Sequence, residues 1–192
     1  MAKIGFRYPV VAKGAFDNLA NGTAPTYSAG KVLGNGISAN ISWNSSDEHM
    51  YGDDVEVETN TSLTGGSLSV EVDDISSDVR AYIFGIEKGS NGEITVTDAV
   101  APYVGFGFVS CKQKKNVAKY VAHWIYKVQF KHSSEDFATK ADRVTFVSEK
   151  LDATILASHM NNSGANVFHT QSDDCETFEA AKAWLNEKAG IA

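Results

Sequence analysis

Hydrophobic and polar residues alternate with a period of two along much of this chain, the pattern of half-buried strands. Ile37, Ala39, Ile41 and Trp43 alternate with Ser38, Asn40, Ser42 and Asn44, and Leu68, Val70 and Val72 resume the alternation. Two longer runs follow. "APYVGFGFVSC", residues 101–111, sets Val104, Phe106 and Phe108 on one side and Tyr103, Gly105, Gly107 and Val109 on the other. "KYVAHWIYKVQFKH", residues 119–132, puts Tyr120, Ala122, Trp124, Tyr126, Val128 and Phe130 on one face. Lys119, Val121, His123, Ile125, Lys127, Gln129 and Lys131 take its other face. A polar turn around Lys114 and Lys115 joins the two runs. That turn sets Gly105 opposite Trp124, Gly107 opposite Ala122 and Tyr103 opposite Tyr126. A large ring facing a cross-strand glycine covers backbone the glycine leaves bare. Both faces of this pair carry apolar side chains, so both require cover.

The remaining strand signals are shorter. "EITVTD" reads as a brief strand, "DRVTFVSEKLDATIL" continues the sheet, and "SHMNNSGAN" reads as a loop. The period changes in "DDISSDVRAYIFG", where Ile75, Val79, Tyr82 and Ile83 share one helix face, with Asp74 as the expected N-cap and Gly85 at C′. A second helix is predicted over 177–189. Thr177 caps it, Phe178, Ala181 and Leu185 line its inner face, Trp184 packs, and Gly190 ends it.

Two segments stand outside this regular pattern. Residues 1–28, punctuated by Pro9, Gly14, Gly22 and Pro25, read as an extended arm with one short strand. Residues 45–66 read as a long acidic loop, a hairpin-like excursion with one alternating piece at Val55 and Val57. Loops of that length in compact domains are usually functional or disordered.

A chain of 192 residues fits one domain, 1–192, with a core large enough to need no staples. It contains no apolar run of membrane-spanning length, and its start lacks the apolar region of a signal peptide. Cys111 and Cys175 match no metal or redox spacing and read as free thiols. The net charge of −7 disfavours tight binding of duplex DNA. That charge is unevenly spread. Residues 29–100 hold 13 acids against 3 bases, whereas residues 101–132 hold 6 lysines and no acid.

The chain carries no GxSxG, HExxH, Walker or GxGxxG motif, so no catalytic residue, cofactor site or metal site is assigned. Asp73-Asp74 and Asp173-Asp174 read as helix-start residues, and Asp53-Asp54 as a solvated turn. His123, alternating with Val121 and Ile125, reads as a satisfied sheet histidine rather than a ligand.

Several segments in order carry a resemblance. They are "IGFRYPVVA", "GKVLGNGISANISW", "DDISSDVRAYIFG", "APYVGFGF", "WIYKVQF" and "ETFEAAKAWLNEKAGI". The series, from about Ile4 to Ile191, resembles the major tail protein, or tail-tube protein, of long, non-contractile-tailed bacteriophages, in the branch common among phages of Gram-positive bacteria. The resemblance implies a mainly-β fold, a β-sandwich of two packed antiparallel sheets with a flanking α-helix and a second short helix. It implies a virion protein, assembled in the host cytoplasm, whose hexameric rings stack into the tail tube and pass the genome without binding it specifically. Its partners would be further copies of itself, a tape measure protein and a tail terminator, with no membrane. It brings no catalytic residue, and the arm and the acidic loop match the family's contact elements by position and type.

The charge split adds an expectation of its own. Asp53, Asp54, Glu56 and Glu58 on the acidic loop would meet Lys112, Lys114 and Lys115 on the lysine turn across a subunit boundary. The competing readings are a carbohydrate-binding or adhesion β-sandwich using Trp43 or Tyr51, a hydrolase with a carboxylate pair, and the inner tube of a contractile tail or secretion machine.

Overall fold

The computed structural model describes residues 2–17, 19–53, 55–89, 91–98, 100–114, 117–132 and 148–191. Its strands are β1 (Ala2–Gly14), β2 (Tyr27–Val32), β3 (Gly36–Gly52), β4 (Val55–Val72), β5 (Tyr103–Lys114), β6 (Val117–Lys131), β7 (Glu149–Ile155), β8 (His159–Met160), β9 (Asn166–Val167) and β10 (His169–Gln171). The helices are α1 (Ser77–Phe84) and α2 (Phe178–Ala189). The fold is mainly β, with two antiparallel sheets and two helices. The sheets are very unequal. One has eight strands in the order β2-β1-β5-β6-β7-β4-β3 with β10 also on β6, and the other is only β8-β9.

The large sheet folds back on itself. Phe6 of β1, near one end of the strand order, packs against Gly36 of β3 at the other end. β6 makes the curl feasible by sharing its far edge. Its residues Val128–Lys131 pair with β7, and His123–Ile125 pair with β10.

The N-terminal segment is not an arm with a short strand. β1 pairs with β5 from Ala2 to Lys13, absorbing two bulges on the way, and with β2 on its other side, with a third register shift between Val11 and Lys13. Pro9 is tolerated there because it lies within the register shift between Arg7 and Val10, where no ladder donor is needed. "EITVTD" forms no strand. Ile94 makes only an isolated bridge to Lys88, and Val96 is exposed, so no packing rewards the alternation. In "DRVTFVSEKLDATIL", residues 149–155 form β7 as expected, and 142–147 lie outside the described residues. "SHMNNSGAN" holds β8 and the start of β9, zipped by His159↔Val167 and Met160↔Asn166.

Two cores lie on opposite faces of β1, β5 and β6. The first, inside the curl, gathers Val11, Leu68, Val70, Phe106, Val128 and Phe130 with α1 residues Val79 and Ile83. The second gathers Val10, Val109, Ala122 and Trp124 under α2 residues Ala181 and Leu185. Strict alternation along β6 therefore fails at one place. Phe106 pairs with Ile125 and Val104 with Val128, so β6 holds one extra residue there. That bulge swings Val128 and Phe130 from the Trp124 face into the first core.

Both helices end as their sequences predict, in left-handed Gly85 and Gly190. Thr177 caps α2 by accepting from the Ala180 N–H. The α1 cap is Ser76 and not Asp74; its hydroxyl accepts from the Val79 N–H. The acid pair is used differently. Asp73 accepts from the Asn35 backbone N–H at 2.8 Å and from its side-chain amide at 2.6 Å, tying the β2–β3 turn to the end of β4.

Candidate functional site

The site with most to recommend it is the far half of the β3–β4 hairpin. β7 pairs with β4 only from Gly66 to Val72. The β3–β4 ladder continues past that point to Gly52↔Val55, interrupted by bulges at Asn44/Ser45 and Met50/Tyr51. The acidic loop expected over 45–66 is therefore a two-stranded ribbon that leaves the sheet with no third strand beside it among the described residues. Hydrogen-bonding its two halves to each other satisfies about half of the backbone polar groups that a loop would leave to water.

The ribbon shows apolar side chains to solvent. Cross-strand partners point to one face, and the β4 residues Leu63, Thr61 and Thr59 stand opposite Ser45, Asp47 and His49. Val57, the extra residue at the Met50/Tyr51 bulge, and Val55 beyond it are 66% and 65% exposed, and Leu63 is exposed as well. A two-stranded hairpin is at best marginally stable alone in water. One that also shows valines to solvent has the makings of a contact surface. Asp53, in the left-handed region at φ 50°, sits at its tip, and Asp53 and Glu58 are both solvent-exposed. Glu56 stands on β4 between them, and Asp54 lies outside the described residues.

The lysines stand elsewhere. Lys112 and Lys114 end β5, and Lys115 lies outside the described residues. Within one chain Lys112 donates to Asp174 at 3.0 Å, and Lys119 donates to Glu176 at 3.0 Å. The second acid pair thus helps pin the segment before α2 to the β5–β6 hairpin. Part of the basic charge is compensated inside the subunit, which net-charge counting along the sequence could not reveal.

The ladders fix how ribbon and lysines are disposed. Gly66 of β4 lies beside Ile155 of β7, which lies beside Val128 of β6. β4 and β6 run in the same direction, and Val55 begins β4 as Val117, just past the lysine turn, begins β6. Acidic tip and basic turn therefore lie toward the same end of the strands.

A cleft of ≈ 370 Å³ opens where β3 folds over β5, β6 and β10, with Phe6, Ile41, Trp43 and Phe108 among its walls. Trp43 is held edge-on against Phe168 and tilted against His169, so part of its ring is used in packing. Trp184 packs against the second core beneath Lys188. His123 is satisfied as expected, with its Nε2 2.9 Å from the Ser110 hydroxyl. Cys111 and Cys175 are free thiols. Among the described residues no three His, Cys, Asp or Glu side chains gather as a metal site, and no helix is long and apolar enough to cross a membrane.

No protein-family model matches this chain, and no curated protein matches it either.

Proposed function

We propose that this chain is a self-assembling structural subunit, a tail-tube protein whose rings of six stack into the conduit of a long bacteriophage tail. The observation that carries the reading is the β3–β4 ribbon, without a third strand among the described residues and with Val55, Val57 and Leu63 in solvent. A monomer that exposes such residues on a strand pair invites aggregation, whereas a ring of identical copies covers them. Two further features support the reading. β2 and β3 end the sheet's strand order, and pairing such ends between neighbours in a closed ring is one way of removing exposed strand edges. The ordered segments that resemble tail-tube proteins include those forming β1, β5, β6 and α2.

The placement of tip and lysine turn toward the same end of the strands sharpens the expected charge contact. Copies related by rotation about a ring axis keep the same end up. An acidic ribbon reaching a neighbour's Lys114 and Lys115 therefore belongs to the contact within a ring. Stacking brings opposite ends together and uses other surfaces, in a heterologous contact that propagates a filament.

Light scattering during size-exclusion chromatography tests the reading. It predicts mass that rises with concentration toward six copies and beyond. A strictly monomeric protein at all concentrations opposes it.

A further inference from the structure

Three Asn-Gly pairs occur in this chain, at Asn21, Asn35 and Asn91. Such a pair is chemically labile. The glycine backbone nitrogen attacks the asparagine side-chain carbonyl carbon, Cγ. A C–N bond forms, a five-membered succinimide closes, and the side-chain nitrogen leaves as ammonia. Water then opens the ring at either carbonyl, which yields aspartate or isoaspartate. The reaction consumes only water. Glycine favours it because no Cβ hinders the closure and the backbone turns freely.

The fold requires one of these pairs at a joint. Gly36 opens β3, and a Cβ there would strike the Phe6 ring that packs across the curl of the sheet. Asn35 is bonded three times to a single residue. Its backbone N–H donates to Asp73 Oδ1 at 2.8 Å, and its side-chain amide donates to Oδ2 at 2.6 Å. Its carbonyl accepts from the Asp73 N–H at 3.1 Å. That last bond makes Gly36↔Val72 a non-hydrogen-bonded pair. The attacking Gly36 nitrogen therefore points away from β4 and is not engaged in the β3–β4 ladder.

Asp73 opposes the closure directly. Forming the ring brings Asn35 Cγ into eclipse with its own backbone carbonyl carbon, out of the staggered wells. It also rotates the 35–36 peptide, and the Asn35 carbonyl turns away from the Asp73 N–H. The side-chain nitrogen, as the leaving group, must quit Oδ2. Two of the three bonds to Asp73 are thus lost before the succinimide exists. We propose that Asp73 guards Asn35: while it grips the residue, the Asn35–Gly36 pair is spared from cyclisation, and spontaneous deamidation falls on Asn91. Asn91 is exposed, in a turn closed by the Gly92 N–H on the Gly89 carbonyl, and such a turn opens locally. Gly22, by contrast, has its N–H bonded across to the Met160 carbonyl at 2.8 Å. Conversion at Asn35 would untie the β2–β3 turn from the end of β4. Aspartate there sets a second carboxylate against Asp73 in place of a donor, and isoaspartate adds a methylene to the backbone. The inference concerns a single subunit and stands or falls apart from the assembly reading.

Peptide mapping by mass spectrometry, with isoaspartate quantified at each site, tests it on the full-length protein held folded at mildly alkaline pH. Conversion at Asn91 should run about tenfold or more ahead of Asn35, the factor that two exposed hydrogen bonds supply. In urea-unfolded protein the two sites should convert at similar rates. Asp73→Ala should speed conversion at Asn35 by about tenfold and leave Asn91 unchanged. Asp73→Asn keeps one acceptor and should fall between the two, which gives the same comparison should Asp73→Ala fail to fold. Ser76→Ala removes the nearby α1 cap without touching the grip on Asn35. Asn35 should stay protected in that variant, which separates guarding from general stability. Three results would overturn the proposal. They are conversion of Asn35 as fast as Asn91 in the folded unmutated protein, no acceleration at Asn35 in a folded Asp73 variant, and equal acceleration in Ser76→Ala.

Discussion

Gly107 stands directly opposite Trp124 in the β5–β6 ladder, and the same indole also lies against Gly105. A Cβ on Gly107 would approach the Trp124 ring to 2.5 Å and Leu185 to 2.7 Å, and one on Gly105 would strike Trp124 and Tyr27. The two glycines are the space the tryptophan occupies. They let the largest buried side chain lie flat on the sheet beneath α2. Gly105→Val and Gly107→Ala should each destabilise by ~1–3 kcal/mol through overpacking. Chemical denaturation midpoints measure this, and a variant of unchanged stability would contradict the arrangement.

Tyr82 ties α1 to β1 and β2. Its hydroxyl accepts from the Lys13 N–H at 2.7 Å and donates to the Ser28 carbonyl at 3.2 Å. Burial holds its phenol above the usual tyrosine range, so it stays a neutral donor. Tyr82→Phe leaves two backbone groups without this partner and should lower stability by ~1–2 kcal/mol. Thermal denaturation monitored by circular dichroism would read the loss.

Several carboxylates make the protein sensitive to acid. Hydrogen bonds from Ser148 first, and then Ser38, hold Glu71 below the usual carboxylate range. The Asn35 side chain and backbone do the same for Asp73. A carboxyl whose folded value is depressed contributes stability above its unfolded value and loses that contribution as pH falls through the folded one. The urea midpoint should therefore decline from about pH 4.5 downward. In Asp73→Asn that acid-dependent decline should be smaller. An equal decline in both proteins would show that the Asn35 contact does not carry it.

The ribbon separates folding from assembly. Val55→Asp with Val57→Asp changes exposed positions with no core contact, so stability should move by no more than about 0.5 kcal/mol per site. Association should weaken sharply, because two charges would enter a buried contact. Sedimentation velocity of the double variant should show monomers under conditions where the unmodified protein associates. Lys114→Glu with Lys115→Glu should shorten or abolish assemblies at moderate salt. Full-length assemblies from both pairs of variants would remove the ribbon and the lysine turn from the interface.

The strand content and both helices were legible because local signals and burial agree there. Ile75, Val79, Tyr82 and Ile83 are all buried, and Thr177 and Gly190 bound α2 as their chemistry requires. The glycine–tryptophan pairing was legible in kind but displaced by two residues. Lys114 pairs with Val117, and that register brings Gly107, not Gly105, opposite Trp124. From Phe106 to Lys114 both registers keep each side chain on the same face, so alternation alone cannot distinguish them; beyond the bulge Tyr103 pairs with Gln129 and not, as expected, with Tyr126. The long pairing of β1 was hidden by Gly5 and Pro9, which fall at bulges that only the partner strand reveals. β10 was hidden by its length, since three residues carry no periodicity. The His123–His169 contact joins positions 46 residues apart and has no local signature. The candidate surface was half visible. Its charge was apparent in the sequence, while the ribbon geometry and the internal pairing of Lys112 with Asp174 depend on strand register.

Electron microscopy of the purified, concentrated protein in negative stain tests the central claim most directly. The account predicts sixfold rings or tubes of one uniform width. A field of dispersed single subunits at every concentration, with no ring or tube, would contradict it.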